Sequence, residues 1–373
     1  MSKDLRPLTW VEVDLSAVRH NFAVIKRLAG SKSRILAVVK AEAYGHGMDR
    51  IAKILDKLHA GYLGVSDVQE GIRLRKLGIK GPVLLFESTL PQQASAICDH
   101  HLIPTVCTRE LASALNRCAQ RAGRRVKVHV KVDTGMGRLG VWHADAFSFI
   151  EQVSRLPYLI IDGIYTHFPA ADTDKKFTQR QIRQLHDLVR KLDRKGIIIP
   201  TIHASNSMGL AGYRTKMLNL FRPGLMLYGL YPQARLKKLI SLKPAMSVHS
   251  RIIFLKRIEK GRSISYGRTF IAKAAMTVAT IPIGYSDGYP RLLSNKADVL
   301  VGGKRCRLLG RVTMDQIVAD VTKVKGARLG TPVVILGKQS SHTITADELA
   351  AYANTISYEI VCSLGNNIPR IYK

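Results

Sequence analysis

Over about its first 230 residues the chain alternates short β-branched runs with stretches of helical periodicity, and few folds accept that alternation. The runs Arg34 to Val39, Gly61 to Val65, Pro82 to Phe86, Val126 to Val132, Ile160 to Tyr165 and Ile198 to His203 read as buried strands. Between them lie helical patterns. Leu15, Val18, Phe22, Ile25 and Leu28 share one face behind Asp14 at an N-cap position, with Gly30 at the end. Phe177, Ile182, Leu185, Leu188, Val189 and Leu192 mark another helix. Parallel pairing follows, because each crossover must return to the same sheet edge. Seven or eight such repeats suit a (β/α)8 barrel better than an open sheet.

The pattern changes after Leu230-Tyr231-Pro232. Ser247 to Ile258, Met276 to Ile283, Ala297 to Val301, Arg307 to Val312, Gln316 to Val321 and Thr331 to Leu336 read as strands separated by corners such as Gly302-Gly303. The expected architecture is therefore α/β, a barrel over residues 1–238 followed by a mostly-β C-terminal domain over 239–373. No internal repeat or low-complexity segment interrupts it.

Charge comes next, because 58 Lys+Arg against 27 Asp+Glu leave a formal net charge of +31 over 373 residues. Such a balance invites a nucleic-acid partner, but the excess is +19 over residues 1–238 and +12 over 239–373, nearly even per residue, with no basic tail or block. A generally basic surface is the simpler reading. One local feature stands out: residues 194–258 contain no Asp or Glu. A pocket built there attracts anions. With no apolar stretch of about 20 residues and no signal-peptide pattern at the start, the chain reads as cytoplasmic. The five cysteines, Cys98, Cys107, Cys118, Cys306 and Cys362, include no CxxC pair, which argues against a disulfide framework or a zinc site.

In a barrel, functional groups sit where the strands end. Lys40 closes the first predicted strand, and a partly desolvated lysine there can act as an amine nucleophile. Val126 to Val132 runs into a glycine-interrupted loop that presents Arg138, and later strand ends present His167, Ser207 and Arg222. Ser207 and the amides of Gly224 and Leu225 fall in the acid-free stretch and make a phosphate cradle. An imine-forming lysine, a phosphate cradle and a barrel point to pyridoxal 5'-phosphate.

The motifs Ala37 to Gly47, Lys131 to Gly140, Arg222 to Gly229, Ser265-Tyr266-Gly267, Pro282 to Gly288 and Gly310 to Gln316 resemble the alanine racemases, barrel-type enzymes dependent on that cofactor. The resemblance runs from Thr9 to Arg370. It implies that Lys40 holds the cofactor through a Schiff base, and that Tyr44, Ser207, Tyr358 and the amides of Gly224 and Leu225 bind its phosphate. Arg222 then faces the pyridine nitrogen, which stays unprotonated because arginine does not readily give up a proton. His167 connects Arg222 to Tyr266, Arg138 reaches the cofactor phenolate and the substrate carboxylate, and the Met314 amide also meets that carboxylate. The position of Lys131 can carry a carbamate that orients the arginine. No metal is implied.

Racemisation needs a proton removed from one face of Cα and returned to the other, so two acid/base groups must flank it. By the resemblance these are Lys40, for the D-enantiomer, and Tyr266, for the L-enantiomer. A phenol ordinarily titrates near about 10; His167, with Arg222 behind it, is assigned the task of lowering it. Tyr266 reaches the site of the other subunit, so a homodimer is expected, and the product is D-alanine for cell-wall peptidoglycan. Glu42 stands where the family has Asn or Asp, with its side chain expected to point away from the phosphate. Tyr285 and Tyr358 are expected at the entrance. The competing readings are a racemase of broader specificity, a barrel-type amino-acid decarboxylase, a non-catalytic cofactor carrier, and a nucleic-acid binder; no specific nucleic acid and no membrane partner is expected.

Overall fold

The computed structural model describes residues 7–213 and 215–373. It contains two compact units, one of Arg19–Ala43 with Met48–Lys243, the other of Met1–Val18, Tyr44–Gly47 and Pro244–Lys373.

The first unit is a nearly closed barrel of eight parallel strands: β1 (Arg34–Val38), β2 (Tyr62–Val65), β3 (Val83–Ser88), β4 (Ile103–Val106), β5 (Val126–Asp133), β6 (Leu159–Tyr165), β7 (Thr201–His203) and β8 (Leu220–Phe221). Each pairs in parallel with its neighbour, and β8 returns to β1 with Phe221 opposite Ile35. Across the remaining seam between β7 and β8, Asn219 N–H donates to the Ile202 carbonyl at 3.1 Å and Arg222 N–H to the Ser205 carbonyl at 2.9 Å. These bonds satisfy backbone groups that an open edge leaves unpaired.

The helices form as their spacing dictates. Leu15–Ala29 buries Val18, Phe22 and Ile25, and the Asp14 carboxylate accepts from Ser16 N–H at 2.8 Å and Ala17 N–H at 3.0 Å. Lys175–Arg194 buries Leu185, Leu188, Val189 and Leu192, capped by Asp174 on Phe177 N–H at 2.9 Å. The strand β4 was not expected, nor was its Thr105, which is fully buried and bonds the Tyr165 hydroxyl at 2.6 Å.

In the second unit, Trp10–Val13 forms a strand between Met246–Arg251, antiparallel, and Arg370–Tyr372, parallel. A separate antiparallel sheet joins Phe254–Ile258, Met276–Ile281 and Ile317–Asp320. Ile258, Ile264, Ala272, Val278 and Leu309 form a small core beside it. Two helices, Ala346–Ala353 and Ser357–Asn367, which the strand pattern did not single out, complete this mostly-β unit. The strand expected at Arg307 to Val312 is instead a corner. Lys304–Arg307 is the strand, Leu308 makes one bridge to Ala319, and Gly310 has φ 76°. A Cβ at Gly310 would sit 2.6 Å from the Ile264 carbonyl oxygen. No helix among the described residues is long and apolar enough to cross a membrane.

Candidate active site

Lys40 stands half-buried just past β1, at the mouth of a tight left-handed turn. Ala41, Glu42, Ala43 and Tyr44 have φ of 52°, 54°, 53° and 56°. Such a conformation costs a non-glycine residue about 1–2 kcal/mol, so the turn must be held from outside. Glu70 does part of this, accepting from Ala41 N–H at 2.8 Å with one carboxylate oxygen and from Ser66 N–H at 2.7 Å with the other. Glu42 turns to Arg73, whose Nε also pairs with Asp49 at 2.7 Å. The second Glu42 oxygen meets Met48 N–H at 3.4 Å. The unusual carboxylate is thus engaged with the helix Val68–Lys76.

Arg222 follows β8 and is only 4% exposed. Its Nη2 donates to the carbonyls of Thr166 and Ala204, both at 2.8 Å, and lies 3.2 Å from His167 Nδ1; its Nη1 lies 2.7 Å from His203 Nδ1. The face of Tyr165 sits 5.2 Å from the guanidinium carbon. Arginine only donates. His167 Nδ1 therefore accepts, and the single proton of its neutral ring is on Nε2, pointing onward. Burial, then Arg222, Lys131, Arg138 and Lys40, holds the His167 imidazole well below its ordinary value. The charged groups acting on this ring are cations. Burial lowers Arg222 to about 10, which leaves it charged at neutral pH.

Lys131 on β5 is 4% exposed, with its ammonium 5.4 Å from the centre of the Tyr165 ring. Burial first, and then Arg222 and Arg138, lower its Nζ to about 8. Ser207 opens the short helix Ser207–Gly212 and is 1% exposed. Its hydroxyl oxygen accepts from Gly224 N–H at 3.2 Å and Met226 N–H at 3.4 Å. Leu225, buried, begins the next helical turn.

Arg138 lies exposed on the loop after β5. The loop is held by Asp133, a residue that sequence reasoning passed over: its carboxylate accepts from Gly135 and Met136 N–H at 2.8 Å and Gly137 N–H at 2.9 Å. An Asp two residues before glycine is the available signal for such a turn. Asp133, Glu70 and His203 are the supporting residues not anticipated.

In the second unit three expected motifs converge. Ser265 donates to the Arg311 carbonyl at 2.6 Å, and Ser265, Gly267 and Arg268 all have positive φ, which pushes Tyr266 outward, 70% exposed. Ser286 N–H donates to the Met314 carbonyl at 3.0 Å, and Tyr285 N–H to that of Thr313 at 3.1 Å. A Cβ at Gly284 would lie 2.1 Å from the Met314 oxygen, so only glycine allows this approach. Met314 is 54% exposed and Tyr285 is exposed beside it in sequence register. Tyr44 and Tyr358 are half-buried, their ring centres 5.9 Å apart. A Cβ at Gly365 would lie 2.2 Å from the Gly45 oxygen, so the helix Ser357–Asn367 passes close to the Gly45 backbone. The five cysteines are free thiols. Among the described residues no group of three or more His, Cys, Asp or Glu side chains could hold a metal ion.

Comparison with known proteins agrees over the whole length. Residues 13–232 match the alanine racemase N-terminal domain model and residues 245–372 the C-terminal domain model. The chain is 42% identical to the alanine racemase of Halothermothrix orenii, covering 100% of this chain and 99% of the relative, and 41% identical to that of Geobacter sulfurreducens, covering 99% and 98%. Among solved structures, alanine racemase of Clostridium difficile 630 superposes with a TM-score of 0.94 at 35% identity, covering 99% of this chain and 96% of that one. The Bacillus anthracis enzyme with bound L-Ala-P superposes with a TM-score of 0.91 at 33% identity and the same coverage. This chain belongs to the alanine racemase family, a group of pyridoxal 5'-phosphate-dependent isomerases.

Proposed function

We propose that the protein interconverts L-alanine and D-alanine, with Lys40 and Tyr266 as its two bases. The observation that carries the reading is the pair of cations buried at the strand ends, Arg222 and Lys131, each 4% exposed, with Arg222 Nη2 3.2 Å from His167 Nδ1. That arrangement suits an anionic cofactor and a substrate carboxylate. The buried Ser207 hydroxyl suits a phosphate, and the Arg222 Nε–H, which has no acceptor among the described residues, suits an unprotonated ring nitrogen. The residues therefore fit pyridoxal 5'-phosphate.

When bound, that group supplies an aldehyde for an amine and a conjugated ring that takes up the electron pair left at Cα. Lys40 Nζ holds it. Ser207, the amides of Gly224 and Leu225, and the hydroxyls of Tyr44 and Tyr358 bind its phosphate, and Arg222 meets its ring nitrogen. Arg138 and the Met314 amide orient the substrate carboxylate. Lys40 Nζ moves the Cα proton on one face, that of the D-enantiomer, and the partner subunit's Tyr266 Oη moves it on the other. The Nε2–H of His167 stabilises the deprotonated phenol oxygen, with Arg222 behind it.

The division of labour follows: residues 1–238 bind the cofactor, and 239–373 lend Tyr266 to a second copy in a homodimer. Lys131 reacts with CO2 as its neutral amine, forming an N–C bond and losing one proton, and the carbamate orients Arg138. Work in the cytoplasm, supplying D-alanine for peptidoglycan, completes the reading. The test is a racemisation assay on L-alanine and other small L-amino acids, with product chirality and CO2 both measured. D-Alanine without CO2, formed faster than any other product, is the expected result; CO2 release would overturn it in favour of a decarboxylase.

A further inference from the structure

Arg222 is not the end of its hydrogen-bond chain. Behind it the barrel strands line up His203 of β7, His129 of β5, Asp162 of β6, Tyr62 of β2 and Lys127 of β5. His203 Nε2 is 2.9 Å from His129 Nδ1, and His129 Nε2 faces Asp162 Oδ2 at 3.6 Å. Asp162 accepts from the Tyr62 hydroxyl at 2.9 Å and pairs with Lys127 at 3.0 Å. Both imidazoles are 0% exposed. Tyr165 stacks on the His203 ring at 4.5 Å and 11°, which leaves that ring no freedom to tilt.

The order of protons along this chain follows from one asymmetry, that arginine donates and never accepts. Arg222 Nη1 must donate to His203 Nδ1, so the neutral His203 ring carries its proton on Nε2. That proton needs an acceptor in His129 Nδ1, so the His129 proton is on Nε2 as well. It faces the Asp162 carboxylate, at a separation too long for a full hydrogen bond but short for a charge. His129 Nε2 has no hydrogen-bond partner. Protonating either ring would set two N–H groups against each other. Burial, chiefly, keeps both rings below their ordinary values, with Arg222 adding to the effect. Asp162 is held well below the usual carboxylate range by His129 first, with Lys127 and Tyr62 contributing.

We propose that Asp162, acting through His129 and His203, is a positioning residue for the racemisation: it fixes both rings in the Nε2–H tautomer and so keeps one acceptor permanently on Arg222. Arg222 imposes the order from one end and Asp162 from the other. Without the carboxylate, the flipped order becomes accessible. It turns an N–H toward Arg222 and displaces the guanidinium from the plane set by Thr166 and Ala204. Only this kinetic consequence rests on the racemase reading; the proton order does not.

The test uses histidine-labelled, cofactor-loaded enzyme, with imidazole nitrogen shifts recorded between pH 6 and 9 for the wild type, Asp162→Ala and Asp162→Asn, and kinetics on the same samples. The wild type should show both rings neutral with the proton on Nε2 throughout. Asp162→Ala should populate both tautomers and lower kcat about tenfold with KM nearly unchanged. Asp162→Asn, which keeps an acceptor oxygen, should restore the tautomer and most of kcat. A wild-type ring that is charged or protonated on Nδ1 overturns the proposal, even if the Ala variant fails to fold. So does an Ala variant with wild-type nitrogen shifts or wild-type kcat. A wild type with the expected tautomers but no racemase activity would instead count against the proposed function.

Discussion

Arg222 and Tyr266 are assigned to one reaction, yet the first is 4% exposed and met by four protein acceptors, while the second is 70% exposed on a corner of positive φ. The barrel interior assembles its buried cations, Lys131 and Arg222, from strands that are far apart in sequence, and it holds Arg222 with acceptors of its own. The corner of the second unit does the reverse, spending backbone strain at Ser265 and Arg268 to push a large aromatic side chain into solvent. On the proposed mechanism, Arg222 and His167 act from the chain's own interior, whereas Tyr266, which would serve a second copy, stands on the surface.

The sharpest way to break this contrast is to mix variants. Lys40→Ala and Tyr266→Phe should each lose at least about 10²–10⁴-fold in activity, as expected for removal of a proton-transfer group. If Tyr266 serves a second copy, refolding the two variants together should restore about a quarter of wild-type activity, because a hybrid dimer contains one intact site. Mixtures no more active than their components would place Tyr266 in its own chain's site or outside the reaction.

Within the barrel, Asp133→Ala removes the acceptor of three loop amides. A loss of about 1–3 kcal/mol of stability and a rise in KM are expected, checked by denaturant melts and steady-state kinetics. The effect on KM tests whether the loop's order, and not Arg138 alone, sets carboxylate binding.

Lys131 gives a pH-dependent test. Its native value of about 8 lies below the ordinary 10.5, so between those pH values the unfolded chain binds more protons and native stability rises with pH. Below about 8 the full cost of burying the ammonium is present. Lys131→Met should therefore stabilise the CO2-free protein most at neutral pH, by at most about 3 kcal/mol, and the gain should vanish as pH approaches 10.5. Thermal melts of both proteins across that range check the sign. Added bicarbonate should raise wild-type activity and leave the variant unaffected.

The smallest effect is expected at Glu42. Glu42→Ala breaks a half-exposed pair with Arg73 and should cost no more than about 1 kcal/mol, with activity within a few-fold of wild type.

Much of the barrel could be read from its strand pattern, because strands buried on both faces are continuous apolar runs. β4 escaped because Pro104 interrupts a segment of only four residues. The Trp10–Val13 strand escaped for another reason: its partners are residues 246–249 and 370–372, and local patterning carries no information about pairing at that distance. The helix Ala346–Ala353 did have a signal, Thr345 three residues before Glu348, and the structure uses it, with Thr345 capping Glu348 N–H at 3.1 Å. It was overshadowed by the strand pattern before it. In the site, the strand-end residues were legible one by one, but their supports were not. Glu70 reaches the Ala41 amide 29 positions away and Asp162 the Tyr62 hydroxyl 100 positions away, and no spacing rule marks them; only Asp133 carried a local signal, the glycine two residues on.

The left-handed turn after Lys40 has a consequence for mutability. Ala41 and Ala43 occupy φ values that glycine adopts freely, so a search for heat-resistant variants should find Gly substitutions there tolerable or mildly favourable on backbone grounds. Those same substitutions would widen the range of φ and ψ at residues 41 and 43 themselves and so loosen the turn that follows the lysine. Selection for heat resistance and selection for turnover therefore pull these two positions in opposite directions, and a thermally improved variant carrying either change should be the first one assayed for lost precision.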